Sequence, residues 1–354
     1  MSINTISDIR NKIEKIMSIW QGVGAPSMFI WGKPGLGKSS MVRQLTTDLN
    51  LEFVDVRLSQ LAPTDLRGLP TVNHDTNTMS WAPPNFLPSK DAAPGILFLD
   101  EFNMSSGLLQ SIAQQLILDR RIGDYVLPDS WTIIAAGNRA SDRAAVSEMP
   151  APVANRFVHF NAEPDLEDFK SWAYQSLKVS KKTLGVLLGF LNFRPELLHS
   201  SSRTDPAWPS PRTWEWAMKL YENGLDIAYV VGASAATQFN AFEKIAASLP
   251  NITSIVKGEK NVPLQDKKDP SVIYAVVSAL SAHSNTSTEF INSLRWILEQ
   301  NITEDYAGLY VSEAMAALKS QPKVRSEFIK KCLKDEIISE FITRHNDLVT
   351  NFGN

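Results

Sequence analysis

The sequence predicts an α/β protein with a parallel sheet in its first half and an all-helical second half. Three observations predict it. Gly32-Lys33-Pro34-Gly35-Leu36-Gly37-Lys38-Ser39 lies between a short apolar run, residues 27–31, and a helix start at residues 41–45, which is the strand, loop, helix order of a phosphate-binding loop. Residues 95–99 form a continuous apolar run ending in two acids, and residues 131–138 read as another buried strand ending at Asn138, as strands covered by helices on both faces must look. Beyond Pro164 the strand signals fade and helical periodicity takes over.

Taken in order, Ile3, Ile6, Ile9, Ile13, Ile16, Met17 and Trp20 recur three or four apart and predict one amphipathic N-terminal helix. Residues 51–57 alternate and are rich in strand formers, so strand, helix and strand form a right-handed βαβ unit around the glycine-rich loop. Residues 68–81, with the turn-prone Asn73-His74-Asp75-Thr76-Asn77 at their centre, predict a hairpin standing off the sheet, and residues 121–127 a second, tighter one. Between them residues 105–119 predict a helix with Leu108, Leu109, Ile112, Leu116 and Ile117 on one face. A fifth strand is expected over residues 154–160. Helices are expected at 166–177, 183–193, 214–221, 227–239, 271–277, 290–298, 306–318 and 324–341, with a polar exposed loop over 251–269.

Bulk composition narrows the function. With 354 residues, 44% of them hydrophobic, the chain can bury two or three packed units. A net charge of −3 gives no electrostatic reason to expect a nucleic-acid coat. One cysteine, Cys332, fits a buried apolar position in a reducing compartment, and charges interrupt the first twenty residues, so a cytoplasmic protein without a membrane span is expected. His74 has no neighbouring histidine or cysteine in the sequence with which to complete a metal site.

The chemistry gathers where strands end. Glycines at 32, 35 and 37 let the backbone wrap so that N–H groups and a helix N-terminus face phosphate oxygens. Lys38 is placed to reach the β and γ phosphates of ATP, and Ser39 to ligate Mg²⁺. The expected nucleotide contacts are Gly32, Pro34, Gly35, Leu36, Gly37, Lys38, Ser39 and Ser40. Asp100 and Glu101 close an apolar strand, where two carboxylates call for a cation. Asp100 is the expected second holder of Mg²⁺, through water, and Glu101 the group that polarises the attacking water. Asn138 could orient that water or cap a helix. Arg156 could neutralise transition-state charge or sit in a surface ion pair.

This set of motifs resembles the AAA+ ATPases, and within them the MoxR-type branch. Residues 32–39 look like the Walker A motif, 97–101 like Walker B, 135–139 like the sensor 1 strand, 155–157 like the arginine-finger segment and Ser210-Pro211-Arg212-Thr213 like sensor 2. The hairpin at 68–81 is similar to the branch's helix-2 insertion, and 121–127 to its hairpin before sensor 1. The resemblance implies a five-stranded parallel P-loop sheet of order 5-1-4-3-2 flanked by helices, with an all-α lid and a helical C-terminal extension. The implied domains are residues 1–163, 164–250 and 251–354. It further implies a ring, usually a hexamer, with ATP between subunits, Arg156 acting on the neighbour's site and Arg212 sensing the γ-phosphate in cis. Arg143 is a second candidate for the interface arginine. A protein client, remodelled alongside a von Willebrand factor A-domain partner, is implied by the family alone.

Two other functions remain open on the sequence. One is a nucleic-acid translocase or restriction-type motor of the same superfamily, against which stands the weak basicity of both hairpins, although Lys33, Lys90, Arg120 and Arg121 could line a channel. The other is a scaffold that binds ATP without turnover.

Overall fold

The computed structural model describes residues 3–21, 24–75, 77–142, 149–202, 204–259 and 262–345. Two compact units divide the chain, Met1–Pro164 and Asp165–Asn354.

The first unit runs β1 (Ile3–Asn4), α1 (Ile6–Ile19), β2 (Met28–Gly32), α2 (Lys38–Asp48), β3 (Glu52–Arg57), α3 (Pro63–Arg67), β4 (Leu69–Asn73) and β5 (Thr78–Ala82). It continues through β6 (Gly95–Asp100), α4 (Gly107–Asp119), β7 (Arg121–Ile122), β8 (Tyr125–Val126), β9 (Trp131–Gly137), α5 (Ala151–Ala154) and β10 (Val158–Ala162). The main sheet has the order β1-β10-β2-β9-β6-β3, parallel throughout. Its last five members are the expected 5-1-4-3-2 arrangement. The short β1 adds a sixth strand beyond β10.

Pleating divides the apolar residues between two layers, because successive side chains leave opposite faces of a strand. From β6, Ile96 and Phe98 pack with Ile9, Ile13, Val42 and Leu45 of α1 and α2. Leu97 and Leu99 pack instead with Leu109, Leu116 and Ile117 of α4. All seven residues of β9 are buried, as a central strand with both faces covered requires.

Several boundaries differ from expectation, each for a local reason. Ile3 lies in β1, because Thr5 and Asp8 form a capping box that starts α1 at Ile6. The buried face of α4 is centred on Leu109, Ala113, Leu116 and Ile117, leaving Leu108 60% exposed. The fifth strand is displaced to Val158–Ala162, since Pro150 and Pro152 start the short α5 just before it. Both predicted hairpins are present, as β4 with β5 and β7 with β8.

The second unit is helical: α6 (Leu166–Ser176), α7 (Lys181–Phe193), α8 (Pro211–Glu222), α9 (Ala228–Val231), α10 (Ala233–Ala246) and α11 (Ile252–Val256). It continues with α12 (Pro270–His283), α13 (Ser287–Glu299), α14 (Asp305–Ala317), α15 (Pro322–Lys334) and α16 (Glu336–Arg344). The helix expected over 227–239 breaks at Gly232, whose φ of +80° a helix interior cannot hold. That expected over 324–341 breaks at Asp335, which caps α16 through Ile338 N. The expected loop at 251–269 contains α11 and buries Ile255, Val256 and Leu264, so apolar anchors outweigh its polar composition.

Candidate functional site

The site lies at the carboxyl ends of β2, β6 and β9. Leaving β2, the loop turns through Gly35 and Gly37 at φ of +80° and +90°, a region open to glycine at little cost. Gly37 is the N-cap of α2 and supplies no side-chain cap. The first-turn N–H groups of Lys38, Ser39 and Ser40 have no carbonyl one turn earlier in their own helix, which makes this end a receptor for an anion.

Lys38 is only 8% exposed. Its Nζ donates to Gly32 O at 2.5 Å, Lys33 O at 3.0 Å and Asn138 Oδ1 at 3.2 Å. The ammonium therefore lies folded over its own loop and touches the end of β9. Ser39 Oγ donates to Asp100 Oδ2 at 2.7 Å, joining the start of α2 to the end of β6. The other carboxylate oxygen, Oδ1, accepts from Glu101 N at 2.9 Å.

Glu101 has φ of +53°, a left-handed conformation that costs a non-glycine residue of order 1 kcal/mol. Its Oε2 accepts a hydrogen bond from the Ser59 hydroxyl. Strain at this position turns the chain sharply after the strand and brings the carboxylate beside the end of β3. Asp55 of β3 has its carboxyl pushed above the usual range, first by burial and then by the charge of Asp100, with Arg43 and Arg57 opposing.

Asn138 is held by its main chain. Asn103, 3% exposed, donates from Nδ2 to Asn138 O at 2.6 Å and accepts from Asn138 N at 3.2 Å. A Cβ at Gly137 would run into Asn103 Oδ1 and come within 2.9 Å of Phe29, so only glycine fits beside this clamp. Asn103 and Ser59 meet their partners only through the tertiary structure. An amide three residues after Asp100 is the one local signal for Asn103, and nothing local marks Ser59.

Arg156 stands apart from this group. Its Nη1 donates to Pro152 O at 2.5 Å and its Nε is buried without a partner among the described residues. Arg212 is exposed in the first turn of α8, behind a Ser210–Thr213 capping box in the second unit. Arg143 lies outside the described residues.

Whether these residues suit Mg²⁺ is a question of donor chemistry. Among the described residues no group of three or more His, Cys, Asp or Glu side chains could cage a metal. Mg²⁺ does not need one: it takes hard oxygen donors, commonly one or two from the protein, with water and phosphate completing the octahedron. Ser39 Oγ and Asp100 Oδ2 are such donors.

Residues 27–157 match the AAA domain family (dynein-related subfamily), and the loop, Asp100, Glu101 and Asn138 all lie within the matched residues. Among curated proteins none matches the chain. Among solved structures, a protein of Cytophaga hutchinsonii is 16% identical over 93% of this chain and 87% of its own, with a TM-score of 0.30. The RuvB Holliday junction branch migration motor of Thermotoga maritima is 14% identical over 82% of this chain and 87% of its own, with a TM-score of 0.40. NtrX of Brucella abortus in complex with ADP is 16% identical over 89% of this chain and 68% of its own, with a TM-score of 0.38. No helix among the described residues is long and apolar enough to cross a membrane.

Proposed function

We propose that this AAA domain binds ATP with Mg²⁺ and hydrolyses it, and that the chain uses the reaction to remodel a protein partner from an oligomeric ring. The observation that carries the reading is the 2.7 Å contact of Ser39 with Asp100 beside a buried Lys38, at a helix start without a side-chain cap. Main-chain N–H groups from Gly35 to Ser40 would bind the phosphates, and Lys38 would leave its loop carbonyls for the β and γ oxygens. Mg²⁺, held by Ser39 and, through water, by Asp100, would neutralise charge developing on the phosphates. Glu101 is the base for the attacking water. Asn138, held by Asn103, orients that water.

The ring, the action of Arg156 on a neighbouring site and the γ-phosphate contact of Arg212 follow from the family resemblance. A protein client is favoured over nucleic acid by the exposed hairpin, where Leu69, Val72 and Met79 stand in solvent and Val72 pairs directly with Met79. Apolar strips of this kind suit a polypeptide better than a polyphosphate backbone. Trp81 N donates to Asp124 Oδ2 at 2.9 Å, so this hairpin is tied to the β7–β8 hairpin.

Glu101→Gln is expected to retain ATP affinity while turnover falls roughly 10²- to 10⁴-fold. Lys38→Ala is expected to lose ATP binding itself. Unchanged turnover in Glu101→Gln would remove the assignment of the base, and unchanged binding in Lys38→Ala would remove the nucleotide site. Mixing Arg156→Ala subunits with Lys38→Ala subunits is expected to restore some hydrolysis if the arginine serves its neighbour, and none if it serves its own site.

A further inference from the structure

Arg139 follows Asn138, and its side chain leaves β9 for the far side of β2. Nη1 reaches Glu163 Oε1 at 2.5 Å, Nη2 donates to Ala162 O at 2.8 Å and Nε to Asn161 Oδ1 at 3.4 Å. All three acceptors lie at the end of β10, and the sheet order places β2 between β10 and β9. The guanidinium therefore spans the end of the strand from which the phosphate-binding loop emerges. On its own side it is steadied by Asp142, whose Oδ1 lies 3.7 Å from Nη1 and whose Oδ2 accepts from Arg139 N at 2.8 Å. Lys33, the first loop residue after β2, also faces Glu163, at 3.7 Å. Glu163 thus takes one cation from the loop and one from the residue after Asn138.

We propose that Arg139 and Glu163 are positioning residues for hydrolysis: a strap across the end of β2 that holds Asn138 in register with Lys38. The inference rests on the hydrolysis reading above. Asn138 is fixed from two directions, with Asn103 gripping its peptide groups and Arg139 pinning the next residue to β10. The Arg139–Glu163 pair is less than a third exposed on either side chain, so solvent screens it less than an ordinary surface pair. Its two oppositely charged ends lie just past different strands, β9 and β10, so the ion pair itself joins those two strand ends. Glu163 is also the penultimate residue of the first unit.

The test uses the full chain as Arg139→Gln, Glu163→Gln and the double variant, with ATP affinity, turnover and amide exchange at residues 137–139 measured for each. Expected are affinities within about threefold of the parent and turnover lower by about tenfold in either single variant, with no further loss in the double variant. Exchange at 137–139 should quicken in all three while β6 keeps its protection. Turnover losses that multiply in the double variant, or exchange unchanged from the parent, overturn the strap. If the parent protein hydrolyses no ATP, the hydrolysis reading fails by itself, and the exchange comparison in nucleotide-free protein still decides whether the strap holds Asn138. Should Arg139→Gln fail to fold, Glu163→Asp, which keeps the charge and shortens its reach, is read by the same exchange criterion.

Discussion

Asn103 grips Asn138 by both polar ends of its main chain, donating to its carbonyl at 2.6 Å and accepting from its N–H at 3.2 Å. The two residues lie 35 positions apart, after neighbouring strands. The side-chain amide acts as one more peptide unit continuing the ladder past the end of β9. Gly137 is the consequence, since any Cβ there meets the clamp.

Asn103→Ala leaves two part-buried main-chain groups without their partner, at up to about 1–3 kcal/mol for each unsatisfied group. A lower melting temperature and reduced turnover are expected together. Gly137→Ala should destabilise as well, and by less in the Asn103→Ala background, because the clashing amide is gone while Phe29 remains. A double-mutant cycle in denaturant measures that coupling, and strict additivity contradicts the clamp.

Removing the metal tests the Ser39–Asp100 pair. With excess chelator ATP turnover should stop, and added Mg²⁺ should restore it. In Ser39→Ala, which loses a donor oxygen but no charge, the Mg²⁺ concentration for half-maximal turnover should rise by at least about tenfold. A magnesium titration that superimposes on the parent's excludes Ser39 as a ligand.

In the second unit Lys170 and Glu313 are both fully buried, 3.9 Å apart. Glu313 also accepts from Ser278 Oγ at 2.7 Å, from Tyr174 OH at 3.2 Å and from Asn192. The network ties α6, α7, α12 and α14 together. Lys170→Met alone should cost about 3–5 kcal/mol by leaving a buried carboxylate unpaired, whereas Lys170→Met with Glu313→Leu should cost much less. Denaturation of the full chain followed by hydrogen exchange on α6 and α14 reads both variants.

Alkali should unfold the second unit. Burial pushes the Cys332 thiol up to about 12, from an ordinary value of 9.0. Burial and Glu243 push Tyr221 up to about 12, from 10.0. Tyr310 and Tyr174 are also raised, first by burial. These groups bind protons more tightly folded than unfolded, so their contribution is complete below the unfolded values and disappears as pH climbs through the folded ones. Melting temperature should therefore fall between about pH 9 and 12, with tyrosinate absorbance rising together with unfolding. Ionisation of the buried Tyr310 near pH 10 in a protein that stays folded contradicts this burial.

How far the sequence reached depends on the range of the forces that set each feature. The phosphate-binding loop, the Asp100-Glu101 strand end and the two hairpins are local patterns of glycine, charge and apolar residues, and they were legible before any coordinates. The same residues could not reveal that Ser59 bonds Glu101, that Asn103 clamps Asn138 or that Arg139 crosses β2 to Glu163. Those contacts join residues adjacent only through sheet order, which lies in no single segment. Local propensity also failed at the fifth strand and at residues 251–269, where capping and distant apolar contacts outweighed composition. By itself the sequence determined the chemical groups available and the strands and loops that carry them. The tertiary structure alone decided which groups meet, because parallel strands far apart in the chain become neighbours only when their shared apolar faces are buried together.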